Sequence, residues 1–207
     1  MFKKNLVFSA MLAVLALFAG GEATATILTF DDLVGDLSSV PEGYGGFDWN
    51  NATKIAVIKK TFKDSGEFLN SGYVHGAVSG ANTVFNWNGG RLSYIDWMGV
   101  GTFDFNGAYW ASAWEAQNLT FKGYKGGQEV YRSGSYAITT QAPLWIELNW
   151  AGIDRLEIVN DYSGNGFAHW AMDNFTFNQA ASVPEPTTLA LLGIGLAGMG
   201  FKRRQRA

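Results

Sequence analysis

GTFDFNGAYWASAWEAQNLTFKGYKGGQEVYR, residues 101–132, decides the fold class. Apolar and polar residues alternate along it with period two, the pattern of strands with one buried face. Residues 101–105 and 108–114 flank Asn106 and Gly107, a pair suited to the positive φ values of a tight hairpin turn. Residues 118–124 and 128–132 flank Lys125, Gly126 and Gly127, a second hairpin signal. Two such signals in close succession predict neighbouring antiparallel strands.

The same reading extends in both directions. Downstream, residues 136–140 and 144–150 continue the alternation. Leu144, Ile146, Leu148 and Trp150 face one way, and Trp145, Glu147 and Asn149 the other. Residues 153–159 place Leu156 and Ile158 inward with Asp154, and Arg155 and Glu157 outward, and residues 167–177 close the domain. Upstream, residues 26–33 open it, residues 54–62 read as a strand or a short helix, the strand preferred, and residues 83–87 form a strand stopped by Asn88, Gly89 and Gly90. No long segment repeats every 3.6 residues. The expectation is an all-β chain, an antiparallel β-sandwich over residues 26–180.

Composition agrees with an aromatic core. Aromatic residues make up 15% of the chain, and all eight tryptophans lie in this body. Cysteine is absent, which excludes disulfides, zinc–thiolate sites and thiol catalysis. Glu22 and Glu185 lie outside the body, as do Lys3, Lys4, Lys202, Arg203, Arg204 and Arg206. Of 18 acidic and 15 basic residues, 16 and 9 remain inside it, a charge of −7 against −3 for the chain. A body of that sign is a poor partner for nucleic acid or anionic lipid.

Both ends read as targeting segments. Lys3 and Lys4 precede an apolar run over 6–19, and Ala23, Thr24 and Ala25 offer a small-x-small cleavage site. Residues 1–25 are therefore expected to be a secretory signal peptide. At the other end, residues 181–207 combine a Val183-Pro184-Glu185-Pro186 motif, an uncharged apolar run over 187–201 and the basic cluster Lys202, Arg203, Arg204 and Arg206. As a helix the run is roughly 23 Å long at about 1.5 Å per residue, enough to cross a thinned bilayer as a C-terminal transmembrane helix. The basic residues act as its anchor and stay cytoplasmic, leaving the body outside the inner membrane. The glycines at 193, 195 and 198 fit a G-x-G-x-x-G pattern, but no βαβ unit surrounds them, so they are not a dinucleotide site.

The order of motif, apolar run and basic cluster resembles the PEP-CTERM sorting signal of Gram-negative bacteria. The resemblance implies an exported precursor, anchored transiently in the inner membrane. An exosortase, a membrane-embedded cysteine transpeptidase, would process it near Pro184, Glu185 and Pro186. The body resembles jelly-roll, carbohydrate-binding-like sandwiches in three places. These are Phe30 to Leu33, the stretch 103–106 with 111–114, and the closing run 171–177. That likeness implies a fold and no defined ligand.

Two sets of candidate site residues follow. Asp32 shares parity with Leu28 and Phe30, and Asp173 with Phe175 and Phe177, so alternation places both carboxylates on the apolar side. The first and last strands of a jelly roll are neighbours, which would bring the two together. Paired carboxylates with hard oxygens suit a structural Ca²⁺; otherwise each caps a turn or bonds backbone amides. The second set is Trp49, Trp87, Tyr109, Trp110 and Trp114, aromatic residues near Asn- or Gly-rich turns. Flat rings of this kind stack on the apolar faces of sugars, and the same rings serve equally as sandwich core. For catalysis no residue stands out. His75 and His169 are the only histidines and form no known motif, while Glu115, Glu147 and Asp104 are carboxylates that a glycosidase pair would need.

Three functions remain at this level. The first is a non-enzymatic cell-surface or extracellular-matrix protein that binds exopolysaccharide. The second is a structural matrix protein without a saccharide site, and the third a glycoside hydrolase.

Overall fold

The computed structural model describes residues 25–34, 36–49, 54–58, 66–164 and 168–178. The expected signal peptide, the processing motif, the apolar run and the basic cluster lie outside them. Among the described residues no helix is long and apolar enough to cross a membrane.

Among the described residues thirteen strands follow one another: β1 (Thr26–Leu28), β2 (Ser38–Ser39), β3 (Phe47–Asp48), β4 (Ile55–Ile58), β5 (Thr83–Asn86), β6 (Leu92–Trp97), β7 (Phe103–Ser112), β8 (Gln117–Lys125), β9 (Gln128–Arg132), β10 (Tyr136–Ile138), β11 (Leu144–Ile153), β12 (Arg155–Asn160) and β13 (Trp170–Phe177). They build two antiparallel sheets. One has seven strands in the order β11-β7-β13-β5-β4-β2, with β1 also on β13. The other has six, in the order β10-β8-β12-β6-β3, with β9 also on β8. The chain is thus an all-β, jelly-roll-like sandwich, and its first and last strands pair, Thr26 opposite Phe177 and Leu28 opposite Phe175.

Alternation makes the sandwich. In β8, Gln117, Leu119, Phe121 and Gly123 point inward and Asn118, Thr120, Lys122 and Tyr124 outward. Aromatic rings fill the space between the sheets. Phe47 meets Trp97, Phe103 and Phe177 at 4.9–5.0 Å between centroids, and Trp110 meets Phe121 and Trp170 at 5.0 and 5.1 Å. A smaller cluster of Ala56, Ile58, Tyr73, Phe85, Ala113 and Ala171 forms on the other side of the seven-stranded sheet. It is covered by a 3₁₀ turn (Gly66–Asn70) and the four-residue helix α1 (Gly72–His75).

Asn106 and Gly107 do not make the expected turn. They lie inside the ten-residue strand β7, and neither has a positive φ. Gly107 serves close approach instead: a Cβ there would meet the Ile146 carbonyl oxygen at 2.5 Å and the Trp145 ring at 2.9 Å. The register shifts at this point against both neighbours, so the pair marks an irregularity that bends a long strand. The second hairpin forms as expected, β8 to β9, with Gly126 and Gly127 at φ 58° and 77°.

Candidate functional site

The outer face of the six-stranded sheet carries an open groove of ≈ 480 Å³, lined by Tyr94, Asp96, Trp97, Tyr124, Gly127, Asp154, Arg155 and Glu157. Register builds it. Arg155 on the central strand β12 lies between Asp96 of β6 and Tyr124 of β8, and Glu157 lies between Tyr94 and Lys122. Two adjacent rows therefore alternate acid, base and phenol across three strands.

Each cation faces a carboxylate. Arg155 binds Asp96 through Nε and, at 3.0 Å, through Nη2. Its guanidinium also sits 4.6 Å over the Tyr94 ring, a cation–π contact. Lys122 donates to Glu157, which is 5% exposed. These bonds hold both cations above their ordinary pKa, Lys122 through Glu157 and Arg155 through Asp96. Burial pushes the Tyr124 phenol up, and its bond to Glu157 adds to this. The Arg155 and Lys122 pairs fix the side chains that carry them, so the face is rigid and charged with two phenol rings set into it.

None of the aromatic residues expected to bind sugar lies in this groove. Trp49 and Trp110 are fully enclosed in the core, 0% exposed, so neither presents a face to a ligand. Trp49 satisfies its indole N–H with the Tyr44 carbonyl at 2.8 Å. The other three lie on the seven-stranded side. Trp87 is half-buried, stacked on Phe85, with Lys54 4.9 Å over its ring. Trp114 is 38% exposed and packs on Phe68 and Tyr73. Tyr109 is half-buried against Trp145, at 5.1 Å.

Trp87 and Trp114 are joined by a polar chain. Trp114 donates to the Tyr73 hydroxyl, which in turn lies 2.5 Å from His169 Nδ1. His169 also bonds the backbone of Trp87. Burial pushes the His169 pKa down and the Tyr73 pKa up.

Asp32 and Asp173 do not form the expected pair. Phe30 adopts φ 60°, which ends β1 and breaks the alternation; Asp32 then falls in an exposed turn, where the Tyr44 hydroxyl donates to it at 2.7 Å. Its neighbour Asp31 takes the structural role, accepting the Ala81 and Asn82 amides at 2.8 and 3.0 Å. Asp173 is fully buried. Its Oδ2 accepts the Val78 and Ser79 amides at 2.7 and 2.8 Å, and its Oδ1 accepts the Asn174 amide at 2.7 Å. Asp31 and Asp173 thus clasp one loop, residues 78–82, from two sides. Oxygens ringed by N–H donors have the wrong surroundings for a cation, so this donor set does not fit Ca²⁺. Among the described residues no group of three or more His, Asp or Glu converges as a metal centre.

The remaining carboxylates are scattered. Asp104 accepts the Gly152 amide at 2.8 Å, Glu115 accepts the Tyr162 hydroxyl at 3.0 Å, and Glu147 is exposed on β11 opposite Gly107.

The alternation of residues 92–97, with Tyr94 and Asp96 outward and Ile95 inward, was the signal that could have disclosed β6 and its half of the groove. Tyr94, Asp96 and Tyr124 escaped sequence reasoning because their meeting with Arg155 and Glu157 depends on register between three strands.

Residues 182–204 match the PEP-CTERM protein-sorting motif. The match implies an exported chain, anchored by its C-terminal region before processing. No curated protein matches the chain. Among solved structures it is similar to the N-terminal CBM22-1-CBM22-2 tandem domain from Paenibacillus barcinonensis Xyn10C, at 13% identity and TM-score 0.44. That likeness covers 81% of this chain and 49% of the tandem, so the chain spans about half its length. It is also similar to the K2 cleaved adhesin domain of Lys-gingipain, at 14% identity and TM-score 0.41, covering 74% and 97% of the two chains. A third is CBM51 from Clostridium perfringens GH95 in complex with methyl-galactose, at 15% identity and TM-score 0.35, covering 73% and 99%.

Proposed function

We propose that this is an exosortase-processed surface or matrix protein whose sandwich binds an exopolysaccharide along the groove of its six-stranded sheet. The observation that carries this reading is the pair of rows Asp96-Arg155-Tyr124 and Tyr94-Glu157-Lys122 across one rigid sheet face. A sugar ring offers an apolar face and a rim of hydroxyls. Tyr94 and Tyr124 supply the flat apolar partners, while the charged groups between them donate and accept at fixed positions. Mutual pairing of the charges keeps their desolvation on binding small.

The test is affinity electrophoresis of the full chain through gels containing acidic or neutral bacterial polysaccharides. At least one polymer retards the wild type, and replacing Tyr94 and Tyr124 together with alanine abolishes the retardation. Trp114→Ala leaves it intact. If no polymer retards the chain, the structural matrix reading replaces this one. A reducing-sugar assay on the retained polymer checks for hydrolysis.

A further inference from the structure

We propose that the loop joining β6 to β7, residues 98–102, is a lipid contact that rests on the phospholipid surface while the C-terminal segment holds the chain there. The inference rests on the sorting reading of residues 182–204.

The loop reads Met98, Gly99, Val100, Gly101, Thr102. Val100 is 103% exposed and Met98 51%, the first of these the most exposed large apolar side chain among the described residues. The glycines hold the tip out. A Cβ on Gly99 would lie 2.5 Å from the Trp97 ring, and Gly101 turns at φ 81°. The backbone therefore runs tight over an indole and sends its two apolar side chains away from the body. The Met98 amide is tied to the Gly46 carbonyl at 2.9 Å, so the root of the loop is fixed.

Topology aims this tip at the membrane. β13 leaves the sheet at Phe177, and the next residue, Asn178, donates its amide to the Asp104 carbonyl at 2.7 Å. Asn178 Oδ1 accepts the Asp104 amide in return, at 2.9 Å. Asp104 is the second residue of β7, directly after the loop. The chain therefore departs for the tail beside the place where the loop projects. Thr26, where the other targeting segment joins the body, pairs with Phe177 at the same end. Eight residues lie between Asn178 and Thr187, the first of the apolar run. Fully extended they reach roughly 30 Å. A body of this size is about 40 Å across by the usual scaling of radius with chain length. The tether is shorter than the body is wide, so this end stays near the headgroups. Lys125 of the exposed β8–β9 turn lies at the same end and offers a cation to phosphate.

The absence of cysteine makes the test direct. Val100→Cys is labelled with an environment-sensitive nitrobenzoxadiazole dye, and the full chain is reconstituted into zwitterionic vesicles of phosphatidylethanolamine and phosphatidylcholine. The expected result is a blue-shifted emission that brominated lipid quenches. The same dye on Gln141→Cys, exposed at the opposite end, stays water-like and unquenched. A third label on Leu192→Cys reports the anchor. If the Leu192 label is quenched while the Val100 label behaves like that on Gln141, the loop proposal is wrong and the anchor stands. If the Leu192 label is also unquenched, the anchoring reading fails and takes the loop proposal with it.

Discussion

Asp173 is a carboxylate whose surroundings pull it in two directions. Burial pushes its pKa above the usual carboxylate range, and the amides of Ser79, Val78 and Asn174 draw it back. The amides of Val78 and Ser79 depend on it as acceptor, so Asp173→Ala leaves two part-buried donors unmade. At about 1–3 kcal/mol per stranded donor, the loss is on the order of 2–6 kcal/mol in urea unfolding, with Asp173→Asn milder. Chelator leaves the wild-type melting curve unchanged; a calcium-dependent rise in Tm that Asp173→Ala abolishes would restore the metal reading. His169 gives a separate pH signature. Its folded pKa lies below the value in the unfolded chain, so between the two the unfolded state binds more protons and stability falls as pH falls. Acidification from about pH 7.5 to 5.5 therefore lowers Tm, crossing the ordinary histidine range. His169→Gln flattens that slope, and an unchanged slope would show that His169 does not set it.

At the scale of the element, two glycines that look alike in sequence carry different costs. Gly127 turns the β8–β9 hairpin at φ 77° with open space around its Cβ position. Gly127→Ala costs only the backbone strain, about 1 kcal/mol. Gly107 has ordinary φ, but the Ile146 carbonyl and Trp145 ring occupy the space a side chain would need. Gly107→Ala forces β7 and β11 apart and costs about 1–3 kcal/mol. Urea denaturation of both variants gives the ranking, and equal losses would contradict it. The Asn106-Gly107 pair reads as a turn in sequence because local residue preference matches one. Pairing on both sides of β7 overrides that preference, since each flanking strand satisfies backbone groups that a turn would leave to solvent.

For the whole molecule, the fold rests on one aromatic core closed by the pairing of β1 with β13. A fragment spanning 26–180 is therefore expected to unfold in one cooperative step with a far-ultraviolet spectrum of β type; a helix-dominated spectrum would refute it. The tail makes a separable prediction. Replacing Pro184, Glu185 and Pro186 with alanine leaves export intact and accumulates an uncut, membrane-bound form, visible by fractionation and immunoblotting. Release like the wild type would reduce the tail to a plain anchor.

Period-two alternation and a small set of ordered terminal motifs were legible without coordinates. Alternation is a local property of residues i and i+2, and the sorting motif is a contiguous string, so both survive being read in one dimension. The antiparallel sandwich, the β8–β9 hairpin and the sorting segment follow from them. The site did not. Trp49 and Trp110 look like Trp114 in sequence, and only packing separates core from surface. Asp31 and Asp32 are adjacent, and a single positive φ at Phe30 decides which one faces the loop at 78–82. The groove depends on register between β6, β8 and β12, whose residues lie far apart along the chain. Tertiary structure alone decided these points, because which side chains meet is set by long-range pairing that no local pattern encodes.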